Sequence, residues 1–142
     1  MDRAIVAAFL ADRDQHWIAR NAEALGASHA QDGIVRSQIF ATVQGRTAIT
    51  ESYRSLFRSF TDWHLSSRPP VIDGFRVAQP FDVVATHTGS LLGFEPTGRR
   101  FEIHGVLLLD LTPECLIAQE QRIYDFTGLL IQVGVLRGKP AF

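Results

Sequence analysis

The stretch Val83–Gln132, VVATHTGSLLGFEPTGRRFEIHGVLLLDLTPECLIAQEQRIYDFTGLLIQ, decides how the chain folds. It reads as three consecutive long strands followed by a capping segment. Val83–Leu91 is β-rich and runs into a loop, Leu92–Gly98, punctuated by Gly93, Pro96 and Gly98. Arg99–Leu111 alternates Arg100, Glu102 and His104 with Phe101 and Ile103, the period of two that gives a strand one wet and one dry face. Thr112–Cys115 holds a proline and makes the turn. Leu116–Phe126 returns as a third strand, with Glu120, Arg122 and Tyr124 on one face and Gln119, Gln121, Ile123 and Asp125 on the other. The rest of the chain reads as the means of covering this sheet.

Upstream, Ile5, Val6, Phe9, Leu10 and Trp17 form the apolar stripe of a first helix beginning at Arg3. Asn21 caps a short second helix that reaches about Leu25 and stops at Gly26. Asp32 and Gly33 turn the chain into a strand, Ile34–Phe40. After Gly45 and Arg46, with Thr47 as a cap, Ile49, Tyr53, Leu56, Phe57 and Phe60 give the clearest helical spacing in the sequence. Trp63–Ile72 is expected to be an edge or bulged strand because Pro69 and Pro70 interrupt it. Asp73-Gly74 makes a hairpin turn into a long strand, Phe75–Leu91, which Pro80 is expected to bend through a bulge. The apolar tail, Leu129, Leu130, Ile131, Val133, Val135, Leu136 and Phe142, is expected to pack as a short helix on the sheet, across a cavity mouth or onto a partner.

The 142 residues suit one domain, 1–142, and 46% hydrophobic content with ten Phe is enough for a full core. A net charge of -1 with scattered basic residues argues against nucleic acid as a partner. No apolar run approaches the ~20 residues of a membrane span. A charged start at Asp2 and Arg3, without a small-residue cleavage site, leads to the expectation of a cytoplasmic protein. The single cysteine, Cys115, excludes an internal disulfide and reads as a spare thiol. His16, His29 and His64 show no metal spacing, so neither a metal nor a cofactor is expected. Helices followed by long bent strands give an α+β layer, a curved and mainly antiparallel sheet folded as a cone around the N-terminal helices. Such a concave, aromatic-lined space suits a hydrophobic small molecule.

His87-Thr88-Gly89, Pro96-Thr97-Gly98-Arg99-Arg100, Gly105, Tyr124-Asp125, Gly128-Leu129-Leu130 and Gln132-x-Gly134 resemble the SnoaL-like polyketide cyclase group. That group belongs to the nuclear transport factor two-like superfamily of cone-shaped, cystatin-like α+β proteins. Asp32 opening a strand, Gly45-Arg46 with Ala48-Ile49, and Phe60-x-Asp62-Trp63 extend the resemblance through the N-terminal half. It implies a small, often dimeric protein from a superfamily that includes cyclases, ketosteroid isomerases, epoxide hydrolases, dehydratases and non-catalytic members. The acid/base Asp of the group's cyclases falls on Arg122 here, or on Gln121 with a slip of one residue. An arginine stays protonated near neutrality, so it suits stabilisation of an enolate or carboxylate rather than proton shuttling.

Four residues are the candidate catalytic set. Glu120 and Arg122, two apart on one strand face, read either as a carboxylate base beside a cation or as a surface ion pair. His87 is either an acid/base or a structural hydrogen-bonder. Asp125 is either catalytic or a helix cap. Trp17, Tyr53, Phe57 and Trp63 are the expected substrate-binding walls, although the helical stripe that holds Tyr53 and Phe57 reads first as plain core. The function expected is cofactor-free acid/base chemistry, a cyclisation, isomerisation or hydration, on a hydrophobic carbonyl-bearing or cyclic substrate in a homodimer. The other reading is a non-catalytic binding or dimerisation module.

Overall fold

A computed structural model describes residues 2–138. Helix α1, Arg3–Ile18, begins where the Asp2 side chain accepts the Ala4 N–H, and it buries Val6, Leu10, Arg13 and Trp17 along one face. Ile5, counted in the stripe from the sequence, is exposed. Helix α2, Ala22–Ala27, is capped by Asn21 and continues through Gly26 rather than ending before it. Gly26 is where α2 presses on the next helix, and a Cβ there would collide with the Thr50 side chain.

Strand β1, His29–Ser37, starts five residues before the expected Ile34 and turns into β2, Ala41–Gln44, which the sequence did not announce. Helix α3, Arg46–Ser59, follows Gly45, whose φ of 91° supplies the entry turn. Thr47 lies inside this helix and is not its cap. The expected strand Trp63–Ile72 is two short strands, β3 (His64–Ser67) and β4 (Val71–Asp73), parted at the two prolines. Strand β5, Arg76–Thr86, pairs with β6, Arg100–Leu111, in unbroken register from Arg76 opposite Asp110 to Thr86 opposite Arg100. Pro80 therefore makes no bulge. Its missing N–H faces the gap between β3, which pairs up to Phe81, and β4, which begins opposite Ala78, so no ladder bond is lost. Strand β7, Ile117–Tyr124, leads through the Asp125 cap into helix α4, Phe126–Gln132.

The strands form one sheet in the order β2-β1-β7-β6-β5-β3, with β4 also on β5. All pairs are antiparallel except β1 with β7, which makes the sheet mixed. The fold is α+β as expected, a curved open sheet closed over by helices. The strands alternate as the sequence implies: Val77, Phe81, Val83 and Ala85 of β5, with Phe101, Ile103, Leu107 and Leu109 of β6, are buried against α1 and α3. The tail helix α4 buries Leu129 and Val133, and Gln132 bonds both the N–H and the C=O of Glu102, covering the edge of β6 that β7 leaves free. Phe142, part of the expected apolar tail, lies outside the described residues.

Candidate active site

Strand periodicity brings Glu120, Arg122 and Tyr124 to the inner face of β7, beneath α1 and α3. Glu120 is fully enclosed, and each of its carboxylate oxygens takes a different arginine. Arg13 Nη2 donates to Oε1 at 2.5 Å, and Arg122 Nε donates to Oε2 at 2.5 Å. The same Arg13 Nη2 donates to the Tyr53 hydroxyl at 2.8 Å, and Arg13 Nε donates to Ser28 Oγ at 3.3 Å. Tyr53 in turn lies 2.8 Å from His29 Nε2. The Tyr53 oxygen accepts from Arg13, and giving its own proton to His29 Nε2 is the arrangement that leaves that proton satisfied. In that arrangement the imidazole hydrogen sits on Nδ1.

The electrostatics follow from this burial. Removal from water alone would raise the Glu120 pKa, but Arg13 and then Arg122 outweigh it and hold the carboxyl down to about 2. Burial followed by the cations Arg13, Arg122 and Arg46 pulls His29 down to about 3, against the opposing pull of Glu120, so it is neutral near pH 7. Burial raises the Tyr53 phenol, and it pushes Tyr124 up to about 12. Both guanidiniums stay charged, because Glu120 and Tyr53 together more than offset their desolvation.

Beside this cluster a narrow cavity of about 20 Å³ opens along the inner sheet face. Trp17, Trp63, Phe81 and Ile103 form its apolar walls, and Ser37, Arg122 and Tyr124 its polar ones. The Arg122 guanidinium packs over the Tyr53 ring, 5.0 Å from its centroid, and lies 5.8 Å from that of Trp17. Among the described residues, Arg122 Nη2, Arg13 Nη1, His29 Nδ1 and the indole nitrogens of Trp17 and Trp63 are buried without a hydrogen-bond partner, as is His87 Nε2 away from this cluster. A larger groove of about 310 Å³ lies outside the sheet between residues such as Arg36, Arg76, Asp110 and Gln121. Arg76 and Asp110 pair there at 3.2 Å on the exposed surface, so that groove is walled by solvated charges.

The eight residues singled out from the sequence divide clearly. Glu120 and Arg122 are in contact, and their ion pair is buried rather than at the surface. Trp17 and Trp63 line the cavity and stack at 6.5 Å. Tyr53 stands behind Arg122, and Phe57 stacks on Tyr53 one layer further back. His87 is buried elsewhere, against Phe60, where its Nδ1 accepts the Thr97 N–H at 3.2 Å and ties the 88–98 loop to the end of β5. Asp125 accepts the Gly128 N–H at 2.9 Å and caps α4. Arg13, His29 and Ser28 were not singled out. The signal for Arg13 was present, because it falls on the spacing of Val6, Leu10 and Trp17, and a charge on an apolar stripe needs a buried partner. Cys115 sits in the β6–β7 turn with its thiol pushed up by burial, which leaves it without thiolate character.

The family model for SnoaL-like polyketide cyclases matches residues 8–133, and the chain belongs to that family. Among solved structures, TsrD from Streptomyces laurentii is similar at 20% identity and a TM-score of 0.82, covering 96% of this chain and 99% of that one. A ketosteroid isomerase-like protein from Catenulispora acidiphila, solved with trimethylamine, has 20% identity and a TM-score of 0.77 over 93% and 97% of the two chains. SalBIII, an epoxide hydrolase/cyclase-like enzyme with a role in pyran ring formation in salinomycin, has 18% identity and a TM-score of 0.75 over 89% and 95%. At these identities the likeness is one of fold. No functionally curated protein matches the chain.

Proposed function

We propose that this chain is a cofactor-free enzyme acting on a hydrophobic, carbonyl-bearing small molecule, with Arg122 stabilising the negative charge that develops on the substrate oxygen. The observation that carries this reading is the buried Arg122 Nη2, free of protein partners on the wall of an aromatic cavity. A preorganised cation in a site shielded from water is worth more to a developing oxyanion than to a neutral carbonyl, which is the condition for lowering a barrier. Glu120 is a positioning residue in this reading. Its oxygens are occupied and its pKa is near 2, so it orients Arg122 and is a poor base. Tyr124, a neutral phenol on the cavity wall, is the group placed to hydrogen-bond the substrate oxygen alongside Arg122. Ring closure or isomerisation through an enolate suits such a site, as family membership also suggests. We also expect a homodimer, because Leu108 and Ile123 stand exposed on the outer sheet face.

The test is native mass spectrometry of the protein taken from its own cells, followed by turnover assays on whatever is retained. A bound hydrophobic carbonyl compound that is converted by the wild type, and about a hundredfold more slowly by Arg122→Gln, is the expected result. A second reading, a non-catalytic binding or dimerisation module, is favoured by the narrowness of the cavity, about 20 Å³. An empty protein that is inert towards hydrophobic ketones and epoxides would establish that reading instead.

A further inference from the structure

The inner cavity is too small for any carbonyl-bearing ring. Its volume of about 20 Å³ holds about one water, whereas sites for small-molecule ligands run to roughly 300 Å³ or more. A hydrophobic ligand therefore enters only if a wall moves. Most of the walls are built into the core and cannot. Trp17 and Leu56 lie on the buried faces of α1 and α3, and Phe81, Ile103 and Leu107 on the inner face of β5 and β6. Displacing any of these pulls packed side chains or ladder hydrogen bonds out of the centre of the fold.

One wall differs. Ser37, Ile39 and Phe40 line the cavity from the turn between β1 and β2. Strand β2 is the last of the sheet and is mostly exposed, and it pairs with β1 only from Ile34 opposite Gln44 to Ser37 opposite Ala41. Within the turn Gln38 is exposed and Phe40 half-buried, so Ile39, 6% exposed, is the side chain that plugs inward. Ala41 follows at a φ of 55°, a left-handed conformation that a residue with a Cβ adopts at a cost, so the closed turn is held under strain. Its local ties are slight. Ser37 Oγ accepts the Phe40 N–H at 3.2 Å, and the Ile39 backbone lies close enough to the Tyr124 hydroxyl to work against the rise that burial gives its pKa. An edge strand, a strained residue and little burial mark a segment that opens locally at low cost.

We propose that the β1–β2 turn, Gln38–Ala41, is a lid on the inner cavity: Ile39 and Phe40 close it, and the turn swings outward to admit a ligand. The inference rests on the reading above that this cavity is the binding site, and adds that entry is gated by the one wall that lies at the edge of the sheet. The Tyr124 hydroxyl then has two states, held against the Ile39 backbone when the lid is shut and free for a ligand when it is open.

The experiment reads opening and ligand entry separately in the full-length protein. For opening, Ile39→Cys and, as a fixed-wall control, Leu107→Cys are made in a Cys115→Ser background and exposed to a thiol-specific disulfide reagent. Ile39→Cys is expected to react at least about tenfold faster than its own global unfolding allows, at a rate insensitive to low urea, while Leu107→Cys reacts no faster than global unfolding. For entry, association of acetonaphthone, a neutral aromatic ketone, is followed by quenching of Trp17 and Trp63 fluorescence. Phe40→Ala, which cuts the lid back, should take up the ketone about tenfold faster than the wild type, and this arm decides the matter if Ile39→Cys folds poorly. Labelling of Ile39→Cys only through global unfolding, or an unchanged association rate, overturns the lid. A ketone that binds neither protein while Ile39→Cys is labelled through local opening overturns the cavity as a ligand site and leaves the motion of the turn standing.

Discussion

Arg13 on the first helix and Glu120 on the last strand meet at 2.5 Å, joining opposite ends of the chain inside its core. Glu120 thereby has no free oxygen, because Arg122 holds the other one. The carboxylate holds two arginines in place, and the consequences are measurable.

Glu120→Gln leaves two guanidiniums enclosed with no countercharge. It is expected to destabilise the protein by about 3–5 kcal/mol in urea denaturation. A general base at this position would instead give a variant of nearly unchanged stability and lost turnover.

Stability should fall on mild acidification. His29 has its pKa lowered from 6.5 to about 3, so between those values the unfolded chain takes up a proton that the folded chain refuses. Glu120, lowered from 4.5 to about 2, adds to the loss as pH falls through that lower window. Both contributions are complete above pH 6.5. Replacing His29 with Gln is expected to flatten the pH dependence of the denaturation midpoint between pH 6.5 and 4.5, leaving the decline below it.

His87→Ala should lower the thermal midpoint by releasing the 88–98 loop, and leave ligand affinity within about twofold, since His87 contacts Thr97 and Phe60 and does not line the cavity. A loss of turnover at unchanged stability would return His87 to the catalytic set.

Gly105 of β6 is tightly enclosed by its two neighbouring strands, by Ile123 of β7 and Phe81 of β5. A Cβ there would lie 2.7 Å from Phe81 Cζ and collide with the Ile123 carbonyl. Gly105→Ala is expected to cost about 1–3 kcal/mol through displacement of Phe81, a cavity wall, and so to weaken ligand binding as well.

The periodicity of Arg99–Leu111 and Leu116–Phe126 carried the sheet, because alternation with a period of two survives whatever the strands pair with. The short strand β2 did not show, since a four-residue edge strand leaves too few positions for a pattern. Pro69 and Pro70 did mark the interruption of Trp63–Ile72, though not that each side is a strand of its own. Glu120 and Arg122 were legible as neighbours on one strand face. Their burial was not, because it depends on Arg13, about a hundred residues away in sequence and joined only by the fold. Tyr53 likewise read as either core or ligand wall. The structure shows its hydroxyl tied to Arg13 and His29 behind the cavity.

The most direct measurement is a crystal structure of the protein with the small molecule it retains from its own cells. A ligand oxygen within about 3 Å of Arg122 Nη2, between Trp17 and Trp63, is the expected result. A ligand seated in the outer groove beside Arg36 and Gln121, with Arg122 Nη2 bonded to another protein group, would contradict the central claim.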